Sequence, residues 1–408
     1  MNAECDVAIV GGGLAGGLTA LAIMRRRPES RIALIDAQDR LGGHHRWSWF
    51  ATDADRAATE LLSIFPFRDW KDYEVRFPAY RRTLPTPYRS LASRDFDAVL
   101  RRTLPQDALR LGRKVVAVAP EHVTFEDGET LTSRHVVDCR DAPASGEHLR
   151  GGWQVFLGQM WRMDAPHGLL RPIIMDAAVA QPGAYRFVYV LPVDEDHVFI
   201  EDTYYQDRPE LDAHSLRQRI ARYAEDHGWR GTVVEEETGC LPVITGGDFD
   251  AFQRAVRAPG TVRIGAGGGF VHPLTSYTVP IALRTALFVA EHLDLAPSVL
   301  AKKVGRLAQQ HWRDTAYYRL LGQMLFAAAE PGQRYRIFER FYRLDAALIE
   351  RFYAARSTRA DQLRILAGKP PVPVRGAIGA LLSRRPALRK PVQPLMNDRT
   401  GANDRTDR

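Results

Sequence analysis

At 408 residues, with 45% apolar, 26% charged and 9% aromatic side chains, the chain has material for one large core or two linked ones, and a wholly disordered polymer is excluded. Its three cysteines, Cys5, Cys139 and Cys240, are odd in number and lack C-x-x-C spacing, which excludes a disulfide framework and a thiolate zinc site and fits a reducing compartment. The net charge of +7 is uneven: residues 331–408 hold 17 basic and 7 acidic side chains while the rest is slightly acidic, an asymmetry that suggests membrane-surface or nucleic-acid contact at one end.

In chain order, residues 5–10 are an apolar run, 11–17 a glycine turn, 18–26 a helical stretch ended by Pro28, and 31–35 a second apolar run closed by Asp36. This is a βαβ unit. Residues 7–24 carry no charge, but five are glycine and Glu4 and Asp6 precede them, so they read neither as a membrane span nor as a signal peptide. Gly11-Gly12-Gly13-Leu14-Ala15-Gly16 is G-x-G-x-x-G between strand and helix, and Asp36 follows twenty residues after Gly16. Gly11 permits the tight turn, and Gly13 lets the backbone approach a pyrophosphate at the helix N-terminus, where Leu14 and Ala15 begin the first turn. Gly16 lets the helix pack on the strand. Asp36 can accept hydrogen bonds from both ribose hydroxyls and disfavours a 2′-phosphate, so the pattern predicts FAD or NAD rather than NADP.

Residues 41–50 read as a loop rich in glycine, histidine and tryptophan, and 74–90 as a ribbon of short strands broken by Pro78, Pro85 and Pro87. Ser93 is placed as the cap of a helix carrying Phe96, Val99 and Leu100 on one face. Further strands are predicted at 115–118, 122–125 and 136–137. His44-His45 lacks metal-ligand spacing and reads as a loop contact near the cofactor, and no metal site is expected.

Beyond Gly151 the runs lengthen and alternate, at 153–161, 185–190 and 197–205, the last two joined by the turn Pro192-Val193-Asp194-Glu195-Asp196. In the third run Phe199, Glu201, Thr203 and Tyr205 share one face. An even hairpin register adds Tyr185, Phe187 and Tyr189 to that face and sets Glu201 among aromatic rings. Burial there keeps a carboxyl protonated at neutral pH and available as an acid, and each ring can stabilise a developing cation by about 0.5–2 kcal/mol. An odd register gives the place to Asp202, and periodicity alone also describes a solvated acidic edge strand. A helix is predicted over 213–227, and Glu235-Glu236-Glu237 reads as a solvated run.

Residues 263–273 return to a short strand running into a glycine loop. Gly265, Gly267 and Gly268 suit a loop that holds a ribityl chain and flavin, with the helix after Ser276 directing its positive end at the pyrimidine edge. Together the two glycine loops favour FAD over NAD. Residues 298–366 read as helical throughout, and 333–353, dense in Arg, Phe and Tyr, as core packing rather than a nucleic-acid surface. Val374, Ala377, Ile378, Leu381 and Leu382 form an apolar helical stripe bordered by Arg375, Arg384, Arg385, Arg389 and Lys390. The stripe suits an anionic membrane surface, and equally a last helix docked on the core.

The predicted architecture is α/β. A discontinuous Rossmann-like FAD-binding domain (1–75, 91–150 and 255–297) carries an inserted mixed β-sheet substrate domain (76–90 and 151–254). A C-terminal helical region (298–395) and a disordered tail (396–408) follow.

The sequence resembles the bacterial lycopene β-cyclases, which close the β-ionone rings of carotenoids. The likeness runs from about residue 4 to 375. It is carried by Val10-Gly11-Gly12-Gly13-Leu14-Ala15, Gly42-Gly43-His44-His45-Arg46-Trp47-Ser48 and Tyr73-Glu74-Val75-Arg76-Phe77-Pro78. Further matches are Pro172-Ile173-Ile174-Met175-Asp176-Ala177, Tyr185-Arg186-Phe187-Val188-Tyr189, Ile200-Glu201-Asp202-Thr203 and the run from 363 to 374. That family is similar to the aromatic-hydroxylase and geranylgeranyl-reductase flavoproteins. The resemblance implies FAD kept reduced by NAD(P)H, and an isomerisation without net redox change that turns the linear ψ-ends of lycopene into β-rings, giving β-carotene via γ-carotene. It also implies Glu201 as the catalytic acid, and lycopene and related carotenoids as substrates. With the basic C-terminal stripe, the expected location is cytoplasmic, peripheral to the inner face of the membrane, with no nucleic-acid partner. Two departures stand out. Gly265-Ala266 replaces the Gly-Asp usual in related flavoproteins, so the ribityl contact must come from elsewhere, and nothing after Lys390 has a counterpart. The alternatives are a FAD-dependent hydroxylase or reductase acting on another isoprenoid, and a non-catalytic flavin-binding protein docked on membranes.

Overall fold

The computed structural model describes residues 4–141, 147–367 and 385–389. The first third contains β1 (Cys5–Val10), α1 (Leu14–Arg26), β2 (Ile32–Ile35), β3 (Arg46–Phe50), α2 (Arg56–Leu62), β4 (Arg68–Trp70), β5 (Tyr73–Phe77) and β6 (Tyr80–Leu84). It continues with β7 (Tyr88–Ala92), α3 (Ser93–Thr103), β8 (Leu109–Arg110), β9 (Val115–Val118), β10 (His122–Phe125) and β11 (Thr130–Asp138). The middle holds β12 (Leu149–Met163), β13 (Ile173–Asp176), β14 (Tyr185–Pro192), β15 (His197–Gln206), α4 (Ala213–Asp226), β16 (Gly231–Gly247) and α5 (Phe249–Val256). After β17 (Val262–Arg263) come α6 (Val279–Glu291), α7 (Pro297–Asp314), α8 (Ala316–Ala327), α9 (Tyr335–Phe341), α10 (Ala346–Tyr353) and α11 (Arg359–Leu366).

The first sheet runs β8-β2-β1-β11-β10-β9, with β17 also on β11. β1 is parallel to both β2 and β11, and β17 is parallel to β11, so residues far apart in sequence complete one layer. β1 and β2 are almost wholly buried, which is why they read as unbroken apolar runs. α1 and α6 pack against each other over this sheet. The second sheet, β16-β12-β15-β14-β13-β5-β6, is antiparallel apart from the β13–β5 pair. α4 covers one of its faces through Leu216, Ile220 and Tyr223, and α8 packs on β12 and β16. A third sheet runs β3-β7-β4.

Four local expectations change. Residues 46–50 are a strand, not a loop, because they pair along their whole length with β7. The 74–90 ribbon divides: β5 and β6 join the second sheet while β7 leaves for the third. Ser93 is the first helical residue rather than the cap, and its hydroxyl accepts from the His45 N–H at 3.2 Å. The acidic run 235–237 lies inside the edge strand β16, where Glu235 and Glu236 are exposed, as a solvated run is, but Glu237 is partly buried. The stripe at 374–382 and the tail lie outside the described residues. Of its basic border, Arg385 is tied to Asp207 at 2.5 Å, and the neighbouring Leu388 is buried in the core. Among the described residues no helix is long and apolar enough to cross a membrane, and no cluster of side chains suits a metal ion.

Candidate active site

A single cavity of about 1100 Å³ begins at the glycine turn after β1 and ends among the aromatic rings of α9 and α10. At its first end the backbone does the shaping. Gly11 has φ +100°, and a Cβ at Gly16 would lie 1.9 Å from the Gly11 carbonyl oxygen, so both positions require glycine. Gly13, Leu14 and Ala15 form the wall, and a Cβ at Gly13 would meet no protein atom within 4 Å. Asp36 also lines the wall. It accepts from the Gly12 N–H at 2.6 Å and the Gln38 N–H at 2.8 Å, which fixes its carboxylate and leaves lone pairs for further donors.

The late glycine loop contributes unequally. Gly265, at φ +76°, lines the cavity beside Ala266, whereas Gly267 and Gly268 stand behind it, their carbonyls accepting from Arg263 and Gln253. Thr278 and Val279 at the start of α6 complete this part of the wall. His45 is in the wall and His44 is not, and burial lowers the pKa of His45.

Further in, side chains take over. The β14–β15 hairpin has the even register: Tyr189 opposes Glu201, Phe187 opposes Thr203 and Tyr185 opposes Tyr205. β15 lies between β12 and β14, so the solvated-edge reading fails. Glu201 therefore faces the cavity. Asp202 points to the other face, fully buried, where Arg186 grips it through two nitrogens at 2.8 and 2.9 Å. Burial pushes Glu201 up to about 7, opposed by the Thr203 hydroxyl donating to Oε1 at 2.6 Å and aided by the charge of Asp202. Near neutral pH a protonated fraction of Glu201 therefore persists.

Phe187, Tyr189 and Phe199 surround Glu201 in the cavity wall, and Tyr185 stands behind, stacked on Phe338 at 4.4 Å between centroids. Tyr277, Phe338, Phe341, Phe352 and Tyr353 line the far end. The Tyr88 hydroxyl meets those of Tyr189 and Tyr277, and burial holds all three phenols neutral. The stretch 333–353, read as core packing, is therefore partly a cavity wall. Sequence reasoning missed those rings, and also Glu237. No local pattern marks it, because Glu236 turns to Arg217 of α4 while Glu237 turns to the cavity side only once β16 is a strand.

The family model described as "Lycopene cyclase protein" matches residues 6–378. A lycopene beta-cyclase of Pseudescherichia vulneris is 41% identical over 94% of this chain and 99% of its own. One of Pantoea ananas is 39% identical over the same shares. Among solved structures, a geranylgeranyl bacteriochlorophyll reductase-like protein of Thermoplasma acidophilum matches with TM-score 0.58 at 13% identity, covering 92% of this chain and 99% of that one. The flavin-dependent brominase Bmp2 matches with TM-score 0.56 at 15% identity, covering 86% and 93%. These structures share the fold of the chain, and the sequence matches place it within the lycopene cyclase family, to which it belongs.

Proposed function

We propose that the protein is a lycopene β-cyclase that binds FAD and converts the linear ψ-ends of lycopene into β-rings, giving β-carotene via γ-carotene. The observation that carries this reading is the continuity of the cavity: the glycine cradle and a greasy aromatic chamber share one space, with Glu201 in its wall. FAD fits the cradle, where the positive φ at Gly11, the clearance at Gly13 and the unused lone pairs of Asp36 suit a dinucleotide. Gly11, Gly13, Leu14 and Ala15 would hold the pyrophosphate, with Gly16 packed behind them, Asp36 the ribose, and Gly265, backed by Gly267 and Gly268, the flavin. Asp141, also in the wall, offers the carboxylate that Ala266 lacks. Reduced FAD, regenerated by NAD(P)H, supplies an electron-rich ring beside which positive charge is stabilised.

The residues of the chain do the rest. Glu201 holds its proton in an apolar wall and delivers it to the terminal double bond, leaving a tertiary cation. The faces of Phe187, Tyr189 and Phe199 stabilise that cation while a neighbouring double bond attacks it and closes the six-membered ring. Loss of a ring proton yields the β-ring. Phe338, Phe341 and Phe352 bind the remaining polyene and exclude the water that would quench the cation. Leu363 and Leu366 of α11 are 70% and 42% exposed, next to Ile365 and Arg340 of the cavity wall. This supports peripheral contact with the inner face of a membrane, from which the substrate enters.

Expression in a lycopene-accumulating bacterium tests the reading: the pigment should turn from red to orange-yellow. With purified FAD-loaded protein, NAD(P)H consumption should fall far below one per ring formed. No conversion overturns the proposal, and stoichiometric consumption favours the hydroxylase or reductase reading.

A further inference from the structure

The sheet register brings a second carboxylate onto the row that carries Glu201. Across β14, β15, β12 and β16 that row reads Tyr189, Glu201, Gly158, Glu237. Directly opposed residues in antiparallel strands project from one face, so both carboxylates rise on the cavity side. The position between them has no side chain. A Cβ at Gly158 would lie 2.3 Å from the Phe199 ring and 3.3 Å from Cγ of Glu237, so these two side chains lean over the gap that separates the carboxylates.

The charges facing this row come from several elements. Glu201 lies across the gap on β15, with the Thr203 hydroxyl on its carboxylate and the neutral phenol of Tyr189 on β14 beside it. Glu235 lies on the same strand as Glu237, paired with Arg94 of α3, which also meets Asp95. Arg46 of β3 gives Glu237 both a backbone N–H and an opposite charge. Among the described residues Arg46 is the cation that acts on Glu237, and Glu201 has none of its own. Two carboxylates with one cation in a half-buried site hold one negative charge far more cheaply than two.

We propose that Glu237 is a positioning residue for the acid: the two carboxyl groups act as a coupled pair that retains one proton between them, so that Glu201 keeps its acid form to higher pH than it would alone. The proposal rests on Glu201 being the proton donor. Burial raises both carboxyls, Glu201 to about 7 and Glu237 to about 8, and the charge of Glu201 adds to the rise of Glu237. Such a pair loses its protons in two steps that belong to both groups. The cycle balances: the pair gives one proton to the double bond, the ring gives one up to a base or to water, and the pair takes one back from the ring or from solvent. The pair ends each turnover as it began.

The test uses FAD-loaded protein with lycopene in phospholipid vesicles, measuring kcat and KM from pH 5.5 to 9. In Glu237→Gln the alkaline limb of kcat should move down by about half to one pH unit, so that the loss grows toward about tenfold at high pH, with KM little changed. Glu237→Asp should restore the limb. Infrared titration of the protonated carboxyl band in the wild-type holoprotein, assigned by its loss in Glu201→Gln, should show two coupled steps. An unmoved limb, a loss uniform across pH, or a single wild-type step overturns the pairing. If the wild type fails to cyclise lycopene, the assignment of the acid fails instead.

Discussion

On one face of the large sheet, Asp202 is enclosed with Arg186 beneath α4, held by two nitrogens and excluded from water. On the other, one residue earlier in the chain, Glu201 looks into a cavity lined with aromatic rings and receives a single hydroxyl hydrogen bond. The same chemical group serves two ends because its surroundings differ. A buried carboxylate beside a guanidinium is an anchor, whereas one facing rings and lacking a cation is poised to carry a proton.

The comparison can be broken from either side. Glu201→Gln should lower kcat by about 10²–10⁴ while the flavin absorbance of the purified protein stays unchanged. Residual turnover near that of the wild type would remove the acid role. Asp202→Ala should leave Arg186 buried without its partner and cost about 3–5 kcal/mol in urea unfolding. Replacing both partners with apolar residues, Arg186→Met with Asp202→Leu, should recover most of that loss. Thr203→Val is the mildest probe. Its hydroxyl favours the charged form of Glu201, so removing it should raise the alkaline limb by up to about one pH unit. In the wild type the acid form of Glu201 is lost as pH rises through about 7, and the cyclisation rate should fall with it.

The two ends of the cavity were unequally legible. At the nucleotide end, Gly11, Gly13, Gly16 and Asp36 lie within one βαβ unit, and their spacing is dictated by local backbone geometry that a sequence displays directly. Of the late loop, the strand–glycine–helix order was visible, yet the difference between Gly265 in the wall and Gly267 and Gly268 behind it was not. At the aromatic end, alternation placed Glu201 and Thr203 on one face, but two registers remained open. The far rings come from α9 and α10, more than a hundred residues downstream of β15, and helical periodicity cannot distinguish a ring that packs on a core from one that lines a cavity.

Sequence alone thus determined the dinucleotide cradle, the α/β order of elements and the strand face bearing Glu201, because each depends on contacts between residues close in the chain. Only the tertiary structure decided that Glu201 and not Asp202 meets the cavity. It alone brought Glu237 onto the same row across Gly158, and joined the cradle and the aromatic chamber in one space. Those outcomes depend on strand register and long-range packing, where a shift of one residue exchanges the two faces of a strand.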